Sequence, residues 1–155
     1  MNIIIENCQQ DVIIDEESLR SLITEILHLE KIFTDEISLR LVSKEESARL
    51  HKEYFSDPTP TDCMTFPIDS PDTRESLHCL GEIVVCPHIA LTEYSSHNAT
   101  LEEELSLYVV HSFLHLIGFT DTSIEKRNQM RKKEEIYLNH LKNHGKLLTI
   151  TKACC

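Results

Sequence analysis

His111 and His115 stand four residues apart inside an otherwise apolar run, with Val109 and Val110 before them and Leu114, Leu116 and Ile117 around them. Such a run is buried in a water-soluble chain, and burying two imidazoles without partners is costly. Leu101, Leu105, Tyr108, Val109, Phe113 and Leu116 recur with helical period. Thr100 followed by three glutamates marks the start of this helix, and Gly118 its stop. A spacing of four places both imidazoles on one helix face, about one turn apart, which is how helical histidine pairs chelate zinc. Any fold for this chain must give that pair a partner.

Gly118 permits a sharp backbone turn three residues after His115, and Asp121 follows three residues later. The pattern H-x-x-x-H-x-x-G-x-x-D is close in spacing to the metzincin H-E-x-x-H-x-x-G-x-x-H. With His111, His115 and Asp121 as ligands, one zinc ion keeps an open fourth position, the mark of a catalytic rather than a structural site. Asp121 has a second reading as the cap of the final helix, a role Thr122 or Ser123 fills equally well.

Elsewhere the chain alternates short β-branched runs with amphipathic stretches. Ile3-Ile4-Ile5, Val12-Ile13-Ile14, Ile37–Val42, Cys63–Phe66 and Leu80–Cys86 read as strands. Asp15 opens a helix reaching about residue 33, with Leu19, Leu22, Ile23, Ile26 and Leu27 on its apolar face. Ser43 caps another over about 44–54 with Ala48 and Leu50 inward, and Pro87 opens one to about Ser96. The last, about 123–143, carries Ile124, Ile136, Leu138 and Leu141. Ser56 to Asp62 is a loop, and Pro67 to Ser76 is polar and mobile. Strict alternation of strand and helix is absent, so the fold class is α+β. A single domain over 1–150 is expected, with about four strands in a small mixed sheet, about five helices and the histidine helix central. Residues 151–155 read as a frayed tail.

Charge and cysteines narrow the function. The formal net charge is −11 over 155 residues, which weighs against a surface that binds duplex nucleic acid broadly. It leaves room for a local basic groove, or for a site where a metal supplies the positive charge. Cys8, Cys63, Cys79, Cys86, Cys154 and Cys155 form no C-x-x-C pair and follow no signal peptide, so buried free thiols are expected for most of them. No apolar run approaches the roughly 20 residues that span a bilayer. The expected location is cytoplasmic, with no membrane partner.

Three ordered blocks bring a resemblance. Pro60-Thr61-Asp62-Cys63-Met64-Thr65-Phe66-Pro67 resembles P-T-D-V-L-S-F-P, and Leu80-Gly81-Glu82-Ile83 resembles L-G-D-I. His111 to Phe119 resembles H-G-x-L-H-L-x-G-Y, with Met130 and Glu134 fitting the helix beyond. These are blocks of the YbeY family of bacterial ribosomal-RNA maturation factors, and the resemblance covers nearly the whole chain. It implies a zinc-dependent, single-strand-specific endoribonuclease that acts in 16S ribosomal RNA 3′ end processing and ribosome quality control. The implied partners are single-stranded RNA and the small ribosomal subunit or its assembly factors, with no DNA.

The chain departs from that pattern at four places: Thr120 and Asp121 stand where the family has D-H, Phe55 where it has arginine, and Ser112 where it has glycine. Asp for His preserves a metal ligand, whereas the missing arginine removes a cation that would hold or polarise phosphate. Thr61 and Asp62 are candidates for RNA binding or for closing an Asx turn. Arg127, with Arg131, Lys132 and Lys133, is a candidate for backbone contacts or belongs to a solvated helix face. Two other functions compete: a metalloprotease, which lacks its glutamate base because Ser112 fills that position, and a non-catalytic ribosome-assembly factor with structural zinc.

Overall fold

The computed structural model describes residues 1–73 and 76–151. Its strands are β1 (Asn2–Cys8), β2 (Glu36–Val42), β3 (Cys63–Pro67) and β4 (Cys79–Val85). Its helices are α1 (Glu16–Leu29), α2 (Lys44–Phe55), α3 (Pro87–Glu93), α4 (Leu101–Leu116) and α5 (Ile124–Asn143). The four strands form one mixed sheet in the order β1-β2-β4-β3. β1, β2 and β4 run parallel, and β3 pairs antiparallel with β4 at the edge. The single α+β domain expected from the sequence is therefore what forms.

Strand alternation sorts the core onto two faces. Ile37, Leu39 and Leu41 of β2 and Ile83 and Val85 of β4 join the large cluster with α1, α4 and α5. Val42, Val84 and Met64 point the other way and meet Leu50 of α2. α4 is buried on almost every side, including at Glu104, Ser106 and Ser112, and packs on β3, β4, α3 and α5. A helix apolar all round belongs at the centre of a domain.

Gly81 lets α4 come close. Pairing of β2 with β4 shifts between Glu36 and Ser38, so β4 carries an extra residue there. Gly81 takes φ 145° at this bulge, and a Cβ would meet Phe66 O at 2.5 Å and Leu116 Cδ2 at 2.7 Å.

Several expectations are corrected. α1 ends at Leu29 rather than near 33, because Lys31 adopts φ 55° and Ile32 N–H donates back to Leu27 O at 2.9 Å. Val12–Ile14 forms no strand; Ile14 makes one isolated bridge to Ile150. In α2 the buried positions are Ser47 and Leu50, with Ala48 only half-buried. In α5 Ile124 and Ile136 are exposed, and Met130, Tyr137 and Leu141 face inward. α3 stops at Glu93.

Among the described residues Cys8, Cys63, Cys79 and Cys86 are free thiols, but only Cys86 is buried. Thr151 is tied down, its N–H donating to Ile13 O at 2.9 Å; the rest of the expected tail lies outside the described residues. Arg74 and Glu75, within the polar segment before Ser76, do too. No helix among the described residues is long and apolar enough to cross a membrane.

Candidate metal centre

α4 ends in a turn that builds half of the site. Gly118 adopts φ 106°, its N–H donates to His115 O at 3.1 Å, and Phe119 N–H donates to Leu114 O at 2.9 Å. This is a Schellman stop with glycine at the position that needs it. The reversal brings Phe119 O within 2.9 Å of His115 Nδ1. A carbonyl only accepts, so Nδ1 carries the ring proton and Nε2 keeps its lone pair.

α5 builds the other half. Met130, Tyr137 and Leu141 form its inward stripe, and Glu134 occupies the same stripe at helical spacing. Its Oε1 lies 2.6 Å from His111 Nδ1, which donates; in the neutral ring this leaves Nε2 free of hydrogen. The two Nε2 atoms then face one another at 3.1 Å. Two lone pairs at that separation repel unless a proton or a metal cation lies between them. Tetrahedral zinc with bonds of about 2.0–2.1 Å sets its nitrogen ligands about 3.3 Å apart. The donor pair therefore fits a divalent ion.

Asp121 Oδ2 is 3.9 Å from His115 Nε2, and ligand atoms of His111, His115 and Asp121 all lie within 4.8 Å of one another. The Asp121 side chain is half exposed. Helix α5 is capped instead by Ser123, whose Oγ accepts from Lys126 N–H at 3.2 Å, so Asp121 is not spent on capping. The local charge favours a cation as well. Burial pulls the His111 pKa down, but the Glu134 hydrogen bond and the charges of Glu134, Asp62 and Asp121 outweigh it and raise the value.

The histidines open onto a pocket of about 490 Å³ lined also by His51, Phe55, Thr61–Thr65, Pro67, Gly118, Phe119 and Thr120. Thr61 and Asp62 are thus brought to the site. Asp62 Oδ1 accepts from Cys63 N–H at 2.7 Å and from Thr61 Oγ1 at 3.3 Å, so the carboxylate also orders its own loop. Arg127 is not brought there: it is exposed on α5 and lines no part of this pocket. Ser112 is fully buried, and its Oγ makes no well-formed hydrogen bond. Cys63 as a residue is half-buried, but the protein around its thiol excludes water and, with the Asp62 charge, drives it well above its ordinary pKa, so it is no ready nucleophile.

Two participants had weak sequence signals. Glu134 appeared in the sequence only as part of the family resemblance, although a carboxylate at an apolar-stripe position of α5 was the available clue. The Phe119 carbonyl carries no side-chain signature.

Comparison with known proteins follows the same lines. The family model described as Endoribonuclease YbeY matches residues 4–142. The Endoribonuclease YbeY of Chlamydia trachomatis serovar D is 41% identical over 149 residues, covering 94% of this chain and 91% of that protein. Its counterpart in Chlamydia caviae is 38% identical over 152 residues, 96% of each. The solution structure of TM1509 from Thermotoga maritima superposes with a TM-score of 0.60 at 27% identity, covering 94% of this chain and 95% of that one.

Proposed function

Because the chain belongs to the YbeY endoribonuclease family, we propose that it is a metal-dependent endoribonuclease that cuts single-stranded RNA during ribosomal RNA maturation. The observation that carries this reading is the convergence of His111 Nε2 and His115 Nε2 on the floor of an open pocket. His111, His115 and Asp121 would hold the ion, and we assign it as zinc on the donor set. A divalent ion there supplies Lewis acidity toward a phosphodiester oxygen and acidity to a bound water. Glu134 and Phe119 O hold the two imidazoles in the tautomers that leave Nε2 available. Thr61 and Asp62 border the space a substrate would enter.

The acidic chain fits this assignment, because among the described residues no lysine or arginine lines the pocket and the ion would supply its positive charge. Action at the 3′ end of 16S ribosomal RNA, a role in ribosome quality control, contact with the small subunit and a cytoplasmic setting belong to the same proposal and rest on the family resemblance. The protease reading is weaker. The glutamate base it requires is replaced by Ser112, which is buried away from the pocket.

Single-stranded RNA, duplex RNA and an unfolded polypeptide should be assayed side by side, with zinc and with chelator. Cleavage is expected for single-stranded RNA with metal alone. His115→Ala is expected to stay folded while losing both metal and cleavage, and Asp121→Ala to bind metal more weakly than the parent. Cleavage of polypeptide in place of RNA would select the protease. Tight metal binding without any cleavage would select a non-catalytic assembly factor. If Asp121→Ala bound metal as well as the parent, Asp121 would be no ligand.

A further inference from the structure

The pocket that holds the histidine pair has an aromatic rim. Phe55, which lines it, is 52% exposed, and its neighbour Tyr54 is 58% exposed. Phe66 of β3 supports both from below. Its ring centroid is 5.0 Å from that of Tyr54 in an edge-on arrangement and 6.3 Å from that of Phe55. Phe66 in turn packs on the smaller core cluster. Scattered exposed aromatics need no explanation, but two exposed rings joined through Phe66, one of them lining a candidate active site, do.

The rim is rigidly built. Helix α2 stops directly after Phe55, at Ser56 in the left-handed conformation with φ 58°. A non-glycine residue there carries a conformational cost. The loop beyond is fastened back onto α2. His51 Nδ1 donates to Thr59 O at 2.7 Å, Thr59 N–H donates to Asp57 Oδ1 at 2.9 Å, and Thr61 N–H donates to Ser47 Oγ at 3.0 Å. The His51 ring also lies against Phe55, centroid to centroid 5.7 Å. A surface ordered in advance binds without losing further side-chain entropy.

Among the described residues no lysine or arginine lines this pocket, while Asp62 does. The side chains of the pocket therefore offer a phosphodiester no cationic grip beyond the candidate ion. What they offer is a ring face, and every nucleobase has a complementary one. We propose that Phe55, flanked by the rings of Phe66 and His51, is a stacking platform for an unpaired nucleobase beside the candidate metal centre. Stacking then supplies the hold on the strand that side-chain charge does not. Bases paired in a duplex keep their faces covered, so the platform also selects single strands. This inference deepens the endoribonuclease reading and rests on it.

The test separates base from backbone. Metal-loaded protein is titrated by fluorescence anisotropy with a labelled oligonucleotide and with an abasic ribose-phosphate oligomer of equal length. Both carry 2′-O-methyl groups and phosphorothioate linkages to suppress cleavage. One stacked base is worth about 1–3 kcal/mol, so the parent should prefer the base-bearing strand by about 5- to 150-fold. Phe55→Ala should bring that preference close to parity with its metal content unchanged, and Phe55→Trp should keep it. An equal preference in parent and Phe55→Ala would overturn the platform while leaving RNA cleavage by the parent intact. Failure of the parent to bind either strand, with binding of an unfolded polypeptide instead, would overturn the platform and the RNA reading together.

Discussion

Nδ1 of His111 on α4 lies 2.6 Å from Oε1 of Glu134 on α5, across 23 positions of sequence. That bond makes α5 part of the candidate metal centre, although the three candidate ligands all lie outside α5. It fixes the tautomer, aims Nε2 at its counterpart on His115, and increases the basicity of the imidazole. Glu134→Ala should therefore weaken zinc binding by about 10–100-fold while the helices remain formed. Competition with a chromophoric chelator measures the first and circular dichroism the second. Glu134→Gln, which still accepts through its amide oxygen, should fall between the two. Unchanged affinity in Glu134→Ala would mean that His111 needs no orienting partner.

A second carboxylate, Glu104 on α4, pairs with a histidine away from the candidate metal centre. Glu104 is 2% exposed, and its Oε1 lies 2.7 Å from His97 Nδ1. The hydrogen bond and the charge of Glu104 raise the His97 pKa above its ordinary 6.5. A raised value stabilises the fold fully below the unfolded pKa, and that contribution disappears as pH rises through the folded one. Metal-saturated protein should lose melting temperature as pH rises above the ordinary histidine value of 6.5. His97→Ala should flatten that segment of the profile and lower stability at pH 6. A melting profile that matches the parent's across this range would show that the pair contributes nothing.

The two glycines of the site region separate two kinds of constraint. At Gly118 an added Cβ meets nothing within 4 Å, so alanine there opposes only the backbone conformation. At Gly81 it meets Phe66 O at 2.5 Å, backbone that cannot turn aside. Gly118→Ala should cost about 1–3 kcal/mol of stability. Gly81→Ala should cost more, roughly 3 kcal/mol or above, because the overpacking of β3 against α4 is added to the strain. Urea unfolding of both variants gives the comparison. Equal costs would mean that the sheet edge yields freely.

The histidine pair and its glycine were legible because their chemistry is written at fixed offsets within one helix and its stop. Helix and strand positions followed from periodicity, and the central place of α4 followed from its apolar run. What escaped depended on contacts between elements. Ile124 and Ile136 looked inward because they are apolar, yet the inward stripe of α5 is set by which face meets α4, and Glu134 lies on it. The end of α1 escaped because Lys31 adopts a turn usually left to glycine. The companions of Phe55 could not be named at all, since Phe66 reaches it only through the sheet.

Phe55 allows the balance between stacking and charge to be altered by one residue. The resemblance leads to arginine at this position, and Phe55→Arg places a cation in a lining that has no lysine or arginine among the described residues. Each phosphate neutralised on a single strand steepens the dependence of log affinity on log salt by about 0.7. The parent should therefore show a shallow slope for single-stranded RNA, and Phe55→Arg a slope steeper by about that amount. The variant should bind more tightly at low salt and lose the advantage as salt rises. Arginine also stacks through its guanidinium plane, so part of the preference for base-bearing strands should survive. Phe55→Lys, a point charge without that plane, should steepen the slope equally while losing the base preference. Identical slopes in all three proteins would place the strand away from Phe55.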